Sequence, residues 1–185
     1  MNKRVLVIDA NPKSGSFCAS LATIYQQSSE SEVQVVSLSA MHFDPNLSHG
    51  YDQLQSLEPD LVSFQAQVEW AEHIVLFIPI WWGGLPAKFK GLIDRTFLPG
   101  FAFEYHPNKT IPEKLLTGRT AQLILTLDTP PWYYRIFQGA PATKQLKHTI
   151  LGFCGIKLTA TKYIGPIISS SQEQRTSWLN KLAGK

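Results

Sequence analysis

The stretch IVLFIPIWWGGLPAKFKGLIDRTFLPGFAFEY, running from Ile74 to Tyr105, decides how the chain folds. It opens on an uninterrupted apolar run, Ile74-Val75-Leu76-Phe77-Ile78. Its length and β-branched content fit a strand buried on both faces, and such a strand belongs in the middle of a parallel sheet. Pro79 cannot donate a ladder hydrogen bond and closes the strand. The loop Trp81-Trp82-Gly83-Gly84 then lets backbone approach a flat ligand while large rings flank it. Pro86 takes the first position of a helix in which Phe89, Leu92, Ile93 and Phe97 recur at helical spacing. The order is strand, ligand loop, helix.

Upstream, Arg4-Val5-Leu6-Val7-Ile8 is a second apolar run, ending at Asp9. The polar turn Asn11-Pro12-Lys13-Ser14-Gly15-Ser16-Phe17 leads from it into a helix around Leu21, Ile24 and Tyr25. Hydroxyls and bare amides at a helix start suit a phosphate, because the first amides lack intrahelical partners and the dipole end is positive. Ordinary N-capping by Ser14 or Ser16 explains the same residues equally well. The turn has the spacing of neither a Walker loop nor a dinucleotide glycine fingerprint. Val33 to Leu38 reads as the second strand, residues 46–57 as a surface excursion, and Pro59 as the start of a helix with Leu61, Phe64, Gln65, Val68 and Ala71 on one face.

Downstream, Phe101, Phe103 and Tyr105 alternate, so a short extended segment presents one aromatic face, either as a ligand wall or as a satellite packing cluster. Gly118 to Leu127 reads as the fourth strand, running out into Thr126-Leu127-Asp128-Thr129-Pro130-Pro131-Trp132-Tyr133-Tyr134. Leu146, Ile150, Phe153 and Cys154 recur at helical spacing, Gly155 ends that helix, and Ile156 to Ile164 supplies a fifth strand. Ser170 with Glu173 fits a capping box for a last helix whose apolar face is Trp178, Leu179 and Leu182.

Composition narrows the function. At 185 residues, 44% hydrophobic and 17% charged, the chain suits one well-filled core, and we expect a single domain spanning 1–185. A net charge of +3 with scattered basic residues implies neither nucleic acid nor an anionic membrane as partner. No stretch approaches the roughly 20 apolar residues of a transmembrane segment, and Met1-Asn2-Lys3-Arg4 leads straight into a strand, so a cytoplasmic address is expected. Cys18 and Cys154 have neither metal-ligand spacing nor the density of a disulfide scaffold, and Cys154 reads as core packing. His42, His49, His73, His106 and His148 show no metal-binding spacing either, so no metal is expected.

Five strands alternating with helices predict an α/β, flavodoxin-like doubly wound parallel sheet with helices on both faces. In such sheets ligands bind outside the carboxyl ends of strands, where the strand order reverses. The loops at Asn11 to Phe17, Pro79 to Gly84 and Thr126 to Tyr134 all follow such ends and are expected to meet. One holds phosphate; the other two offer backbone donors and ring faces to a planar heterocycle. Bound flavin fits that division of labour.

The chain resembles the NAD(P)H:quinone oxidoreductases of the DT-diaphorase type, including the short bacterial members related to modulator of drug activity B. Ser14-Gly15-Ser16-Phe17, Ser39-Ala40-Met41-His42-Phe43-Asp44-Pro45, the run from Pro79 to Tyr105, and Ile150-Leu151-Gly152-Phe153-Cys154-Gly155 carry the resemblance, in order and over nearly the whole chain. The pattern Pro79-x-x-Trp82-x-Gly84-x-Pro86-Ala87-x-x-Lys90-Gly91 is its most specific part. The resemblance implies a noncovalent flavin, FAD or FMN, with NAD(P)H as co-substrate, quinones or similar flat acceptors, and a homodimer with active sites at the subunit interface. It implies that Asn11, Ser16, Phe17 and Cys18 hold the flavin's phosphate and ribityl side. Pro79, Ile80, Trp81, Trp82 and Gly83 are implied to line the ring, with Thr126, Leu127, Asp128 and Thr129 in a second ring loop. Tyr134 is implied as the catalytic tyrosine, and Phe103 and Tyr105 as quinone-pocket aromatics reaching across the dimer. Trp132 and Tyr133 join them as candidate substrate contacts. Asp128 and Pro130-Pro131 depart from the Thr- and Gly-rich family loop, and no histidine between Arg135 and Lys144 replaces the one that accompanies the family's tyrosine.

The implied mechanism is ping-pong: hydride passes from nicotinamide to flavin, and a quinone then occupies the same site and takes it. A flavodoxin-type electron carrier shares fold and cofactor, but carriers of that kind are strongly acidic and this chain is mildly basic. A flavin-keeping regulatory subunit of a potassium efflux system is a further alternative. A quinone-dependent or protein-dependent NAD(P)H oxidation separates these readings.

Overall fold

The computed structural model of the protein describes residues 3–50, 52–53, 55–107 and 109–184. In chain order the elements are β1 (Arg4–Asp9), α1 (Phe17–Ser28), β2 (Glu32–Ser37), α2 (Pro59–Trp70), β3 (His73–Pro79) and α3 (Ala87–Thr96). They continue with β4 (Phe103–Glu104), β5 (Glu113–Lys114), β6 (Thr120–Thr126), α4 (Pro131–Ile136) and α5 (Pro141–Lys144). A π-helical segment (Gln145–Leu151), α6 (Gly152–Cys154), β7 (Lys157–Ile164) and α7 (Gln172–Leu182) complete the chain. Five parallel strands form one sheet in the order β2-β1-β3-β6-β7, an α/β, flavodoxin-like arrangement.

The apolar run at 74–78 lies at the centre of this sheet because both its faces are covered. Side chains alternate across a strand, and the core divides accordingly. Ile74, Leu76 and Ile78 pack with Leu6, Ile8, Leu123 and Leu125 under α2, α3 and the π segment. Val75 and Phe77 pack with Val5, Val7 and Ile124 under α1. Each such side chain contributes roughly 1.5–3 kcal/mol when fully buried, so slipping β3 by one position would exchange its two packed sets of side chains. Pro79 pairs with Thr126 at the last register position, and the Ile80 amide then donates to the Thr126 carbonyl at 2.7 Å, tying the two ligand loops at their roots.

Some boundaries differ from those read in the sequence. β2 begins at Glu32 and ends at Ser37, and β6 covers only Thr120–Thr126 of the expected 118–127. The last helix is capped by Ser171 and Gln174 instead of Ser170 and Glu173. Ser171 Oγ accepts from the Gln174 amide at 3.2 Å and Gln174 Oε1 accepts from the Ser171 amide at 2.9 Å. Ser170 is occupied elsewhere, donating to the Ile167 carbonyl and accepting from Arg175 Nε at 2.9 Å. The helix expected around Leu146 and Ile150 is wound as a π segment in which the Gly152 amide reaches the Lys147 carbonyl. A Cβ at Gly152 would come within 2.5 Å of that carbonyl oxygen, so only glycine allows the wide turn there.

The excursion at 46–57 includes positions 51 and 54, which lie outside the described residues. Its flanks are held by Arg95 of α3, a side chain 1% exposed that pairs with Glu58 at 2.8 Å and donates to the carbonyls of Ser56 and Asp44. Among the described residues no helix is long and apolar enough to cross a membrane.

Candidate functional site

Strand order reverses between β1 and β3, and the chain builds two adjoining clefts at the carboxyl ends of β1, β3 and β6. The first, about 330 Å³, is bordered by the turn after β1, the start of α1, and the residues just past β3 and β6. Asp9 Oδ1 accepts from the Asn11 amide at 3.1 Å, and Asn11 Oδ1 from the Lys13 amide at 3.0 Å. These two short bonds curl the chain so that Gly15 and Ser16 arrive at the helix start. Ser16 does cap α1, its Oγ accepting from the Ala19 amide at 3.1 Å. The cap takes only one of the free donors: the amides of Phe17 and Cys18 meet no acceptor among the described residues and open the helix beside this cleft. Capping and anion binding are thus compatible at this one turn.

Buried polar groups support the turn from beneath. Asp9, 1% exposed, carries a carboxyl raised to about 6, chiefly by burial, with the Asn11 amide and the Ser37 hydroxyl pulling it back. Burial likewise pushes the Cys18 thiol up to about 12, against the pull of its 3.2 Å hydrogen bond with Thr126 Oγ1. The Cys154 thiol is pushed by burial up to about 11. Neither cysteine is a nucleophile at neutral pH.

The second cleft, about 780 Å³, shares Ile80, Trp81, Leu127 and Asp128 with the first and continues to Trp82, Gly83, Thr129 and Tyr134. Trp81 and Gly84 exchange two backbone bonds, of 3.1 and 2.9 Å, across a two-residue turn whose central residues both have positive φ, +51° at Trp82 and +75° at Gly83. Gly83 accepts that conformation freely. Trp82 does not, and a bulky side chain held there stores roughly 1–3 kcal/mol of strain. Its indole is fully exposed, so no packing offsets the strain within the chain. Tyr134 is the strut behind this turn. Wholly buried, its hydroxyl donates to the Gly83 carbonyl at 3.3 Å and accepts from the Ala142 amide at 3.2 Å. Burial raises its pKa above the usual phenol range, and the Ala142 amide works against that shift.

All thirteen residues expected to hold the flavin border one or both clefts: Asn11, Ser16, Phe17, Cys18, Pro79, Ile80, Trp81, Thr126, Leu127 and Asp128 the first, Trp82, Gly83 and Thr129 the second only. The candidate substrate aromatics lie apart. Phe103 and Tyr105 line a separate cavity of about 640 Å³ beneath α3 and the π segment, with Phe103 packed edge-on against Phe153 at 5.0 Å. Trp132 and Tyr133 border neither cleft; they form an exposed cluster with Phe137, whose ring stacks on Tyr133 at 5.2 Å.

Sequence reasoning placed Lys13 in the phosphate turn without singling it out, and missed Arg175 and a strap. Lys13 and Arg175 both border the first cleft, and Ile167 and Ile168 form its outer wall. Arg175 donates from Nη2 to the Ile167 carbonyl at 3.0 Å, the Ile167 amide donates to the Leu127 carbonyl at 3.1 Å, and the Ile168 amide donates to Asp128 Oδ1 at 2.8 Å. The strap approaches so closely that a Cβ at Gly165 would sit 2.1 Å from the Leu127 carbonyl oxygen. Arg175 stands one position past the true capping box, Ser171 to Gln174, a signal that locates it at a helix start but says nothing of a ligand.

A parallel sheet whose strand order reverses above an amide-lined helix start defines a doubly wound protein of the flavodoxin type. Residues 3–183 match the family described as having a flavodoxin-like fold, and the chain belongs to that family. It is 30% identical over 193 residues to a Haemophilus influenzae protein named as an uncharacterized NAD(P)H oxidoreductase, covering 97% of this chain and 92% of that one. The ribosyldihydronicotinamide dehydrogenase [quinone] of Mus musculus is 27% identical, with 97% and 90% covered. Among solved structures, a protein of Streptococcus mutans superposes with a TM-score of 0.75 at 31% identity, covering 98% of this chain and 97% of that one.

Proposed function

We propose that this protein is a flavin-dependent NAD(P)H:quinone oxidoreductase. The observation that carries the reading is the junction of an amide- and cation-bordered cleft with an aromatic one at the sheet's switch point. The donor set fits a flavin nucleotide, FMN or FAD: two unpaired helix-start amides, Lys13 and Arg175 for phosphate, and Ile80, Trp81 and Leu127 as walls for a flat ring. When bound, flavin supplies the hydride chemistry that links NADH or NADPH to a quinone.

The chain's own part is binding, orientation and exclusion of water. The Ser16 cap fixes the helix start, so the Phe17 and Cys18 amides are aimed before any ligand arrives. The strap of Ile167 and Ile168, held by Arg175 and Asp128, closes the phosphate side. On the ring side, Tyr134 holds the Gly83 carbonyl and so positions Trp82. The Tyr134 hydroxyl keeps its proton at neutral pH, and passing it to a bound quinone would require the Gly83 bond to open. Exposed Trp82, Trp132, Tyr133 and Phe137 offer apolar faces to flat acceptors and to a second subunit, and we take the working form as a homodimer to which exposed Tyr105 contributes across the interface, backed by Phe103, which is buried in its own subunit's core. Buried free thiols at Cys18 and Cys154 suit the reducing cytoplasm.

Steady-state oxidation of NADH or NADPH tests the proposal. Rates that require a quinone and give parallel double-reciprocal lines support it. Oxidation indifferent to quinone, or driven only by a protein acceptor, favours the carrier or regulatory reading and overturns it.

A further inference from the structure

The wall between the two clefts carries an exposed carboxylate, Asp128, that is paired with no cation among the described residues. Asp128 borders both clefts, and its carboxylate is fixed, Oδ1 accepting from the Ile168 amide at 2.8 Å. It forms no ion pair with any Lys, Arg or His among the described residues. Arg175, which borders the first cleft with it, directs Nη2 to the Ile167 carbonyl and Nε to Ser170 Oγ. The other titratable groups facing these clefts are Lys13 from the turn after β1, Cys18 from α1 and Tyr134 from α4. Both Cys18 and Tyr134 are neutral at pH 7, so they do nothing to balance Asp128.

A ring seated across this junction has the Asp128 carboxylate at its border. We propose that Asp128 sets the charge on the bound cofactor, disfavouring negative charge on the reduced ring and so holding the reduction potential below that of a neutral site. The inference rests on the flavin reading given above. A like charge a few ångströms from an ionising group raises the pH at which that group loses its proton, by about half a unit where the carboxylate is solvated, as exposed Asp128 is. The chemical consequence is a reduced ring that keeps its proton and gives up hydride more readily to acceptors. The hydrogen bond to Ile168 gives Asp128 a second, purely structural task, and substitutions separate the two. Asp128→Asn keeps an oxygen for the Ile168 amide and removes the charge; Asp128→Ala removes both.

The test uses the purified full-length chain reconstituted with FMN and, separately, with FAD. Midpoint potential is measured against reference dyes, and ionisation of the reduced ring is followed by absorbance across pH. Asp128→Asn and Asp128→Ala should both give a more positive potential at neutral pH, and a reduced ring that ionises about half a pH unit lower. The difference from wild type should shrink as salt is raised. Only Asp128→Ala should also weaken flavin binding, by loosening the strap. If flavin binds but neither quantity moves in Asp128→Asn, this inference is overturned and the functional reading stands. A wild-type chain that takes up neither flavin overturns both.

Discussion

The two clefts differ in how their walls are held. The first is organised by hydrogen bonds made before any ligand arrives: Asp9 to Asn11, Asn11 to Lys13, Ser16 to Ala19, and Arg175 and Asp128 to the strap. The second is walled largely by rings, and its most prominent one, Trp82, touches almost nothing and stands on a strained turn closed by two backbone bonds and backed by one tyrosine. The difference matches what the proposed function asks of each. A phosphate has one charge distribution and rewards a rigid set of donors. A site that admits a nicotinamide and a quinone by turns needs broad apolar faces with little directional demand. On the proposed reading, rigidity is concentrated where the ligand stays, and exposure where the ligands change.

The contrast is broken most directly by Arg175→Ala. Removing a charged hydrogen-bond donor costs about 1.5–3 kcal/mol, so flavin affinity should fall roughly 10- to 100-fold in a fluorescence titration, with a further loss from the freed strap. A similar fall is not expected for changes in the aromatic cleft.

Asp9→Asn probes the support under the first cleft. Burial raises the Asp9 carboxyl from 3.8 to about 6, so the folded chain holds that proton more tightly than the unfolded chain. Stability from this group is therefore full below pH 3.8 and is lost as pH rises through about 6. Asn carries no such penalty. The variant should be more stable than wild type at pH 7 by about 1–3 kcal/mol in urea unfolding, with the gain fading toward pH 4. A constant difference across that range would remove the electrostatic explanation.

On the aromatic side the expected effects are smaller. Tyr134→Phe loses two hydrogen bonds that hold the Gly83 carbonyl and the Ala142 amide, and should cost about 1–2 kcal/mol of stability. Flavin should remain bound and turnover should slow modestly. Unchanged turnover and stability together would deny the tyrosine both a chemical and a supporting role. Trp82→Gly should raise the KM for quinones several-fold while leaving stability unchanged or higher by about 1 kcal/mol, because glycine relieves the positive φ.

The sheet was legible because its central strands carry their own signal. β3 is apolar from Ile74 to Pro79 and β6 carries the apolar run Leu123-Ile124-Leu125, as strands covered on both faces do. The three loops were legible because each follows such a strand directly. Arg175 and Ile168 were not, since residues 47 and 40 positions beyond Asp128 show no sign in sequence of returning to the same wall. The capping box was misread by one place because Ser170 and Ser171 are chemically alike, and only the path of the Arg175 side chain tells which serine is free to cap. The π segment left no trace in the apolar spacing, because Leu146 and Ile150 face the core in either winding. Asp128 was visible as an odd residue for a ring loop, whereas its bond to Ile168 depends on a tertiary approach.

The most direct test of the central claim is an anaerobic visible spectrum of the purified chain, taken as isolated, after NADH or NADPH, and again after a soluble naphthoquinone. Flavin bands that bleach with the nicotinamide and return with the quinone are the predicted result. A colourless chain that neither FMN nor FAD can reconstitute would contradict the account and leave the fold alone standing.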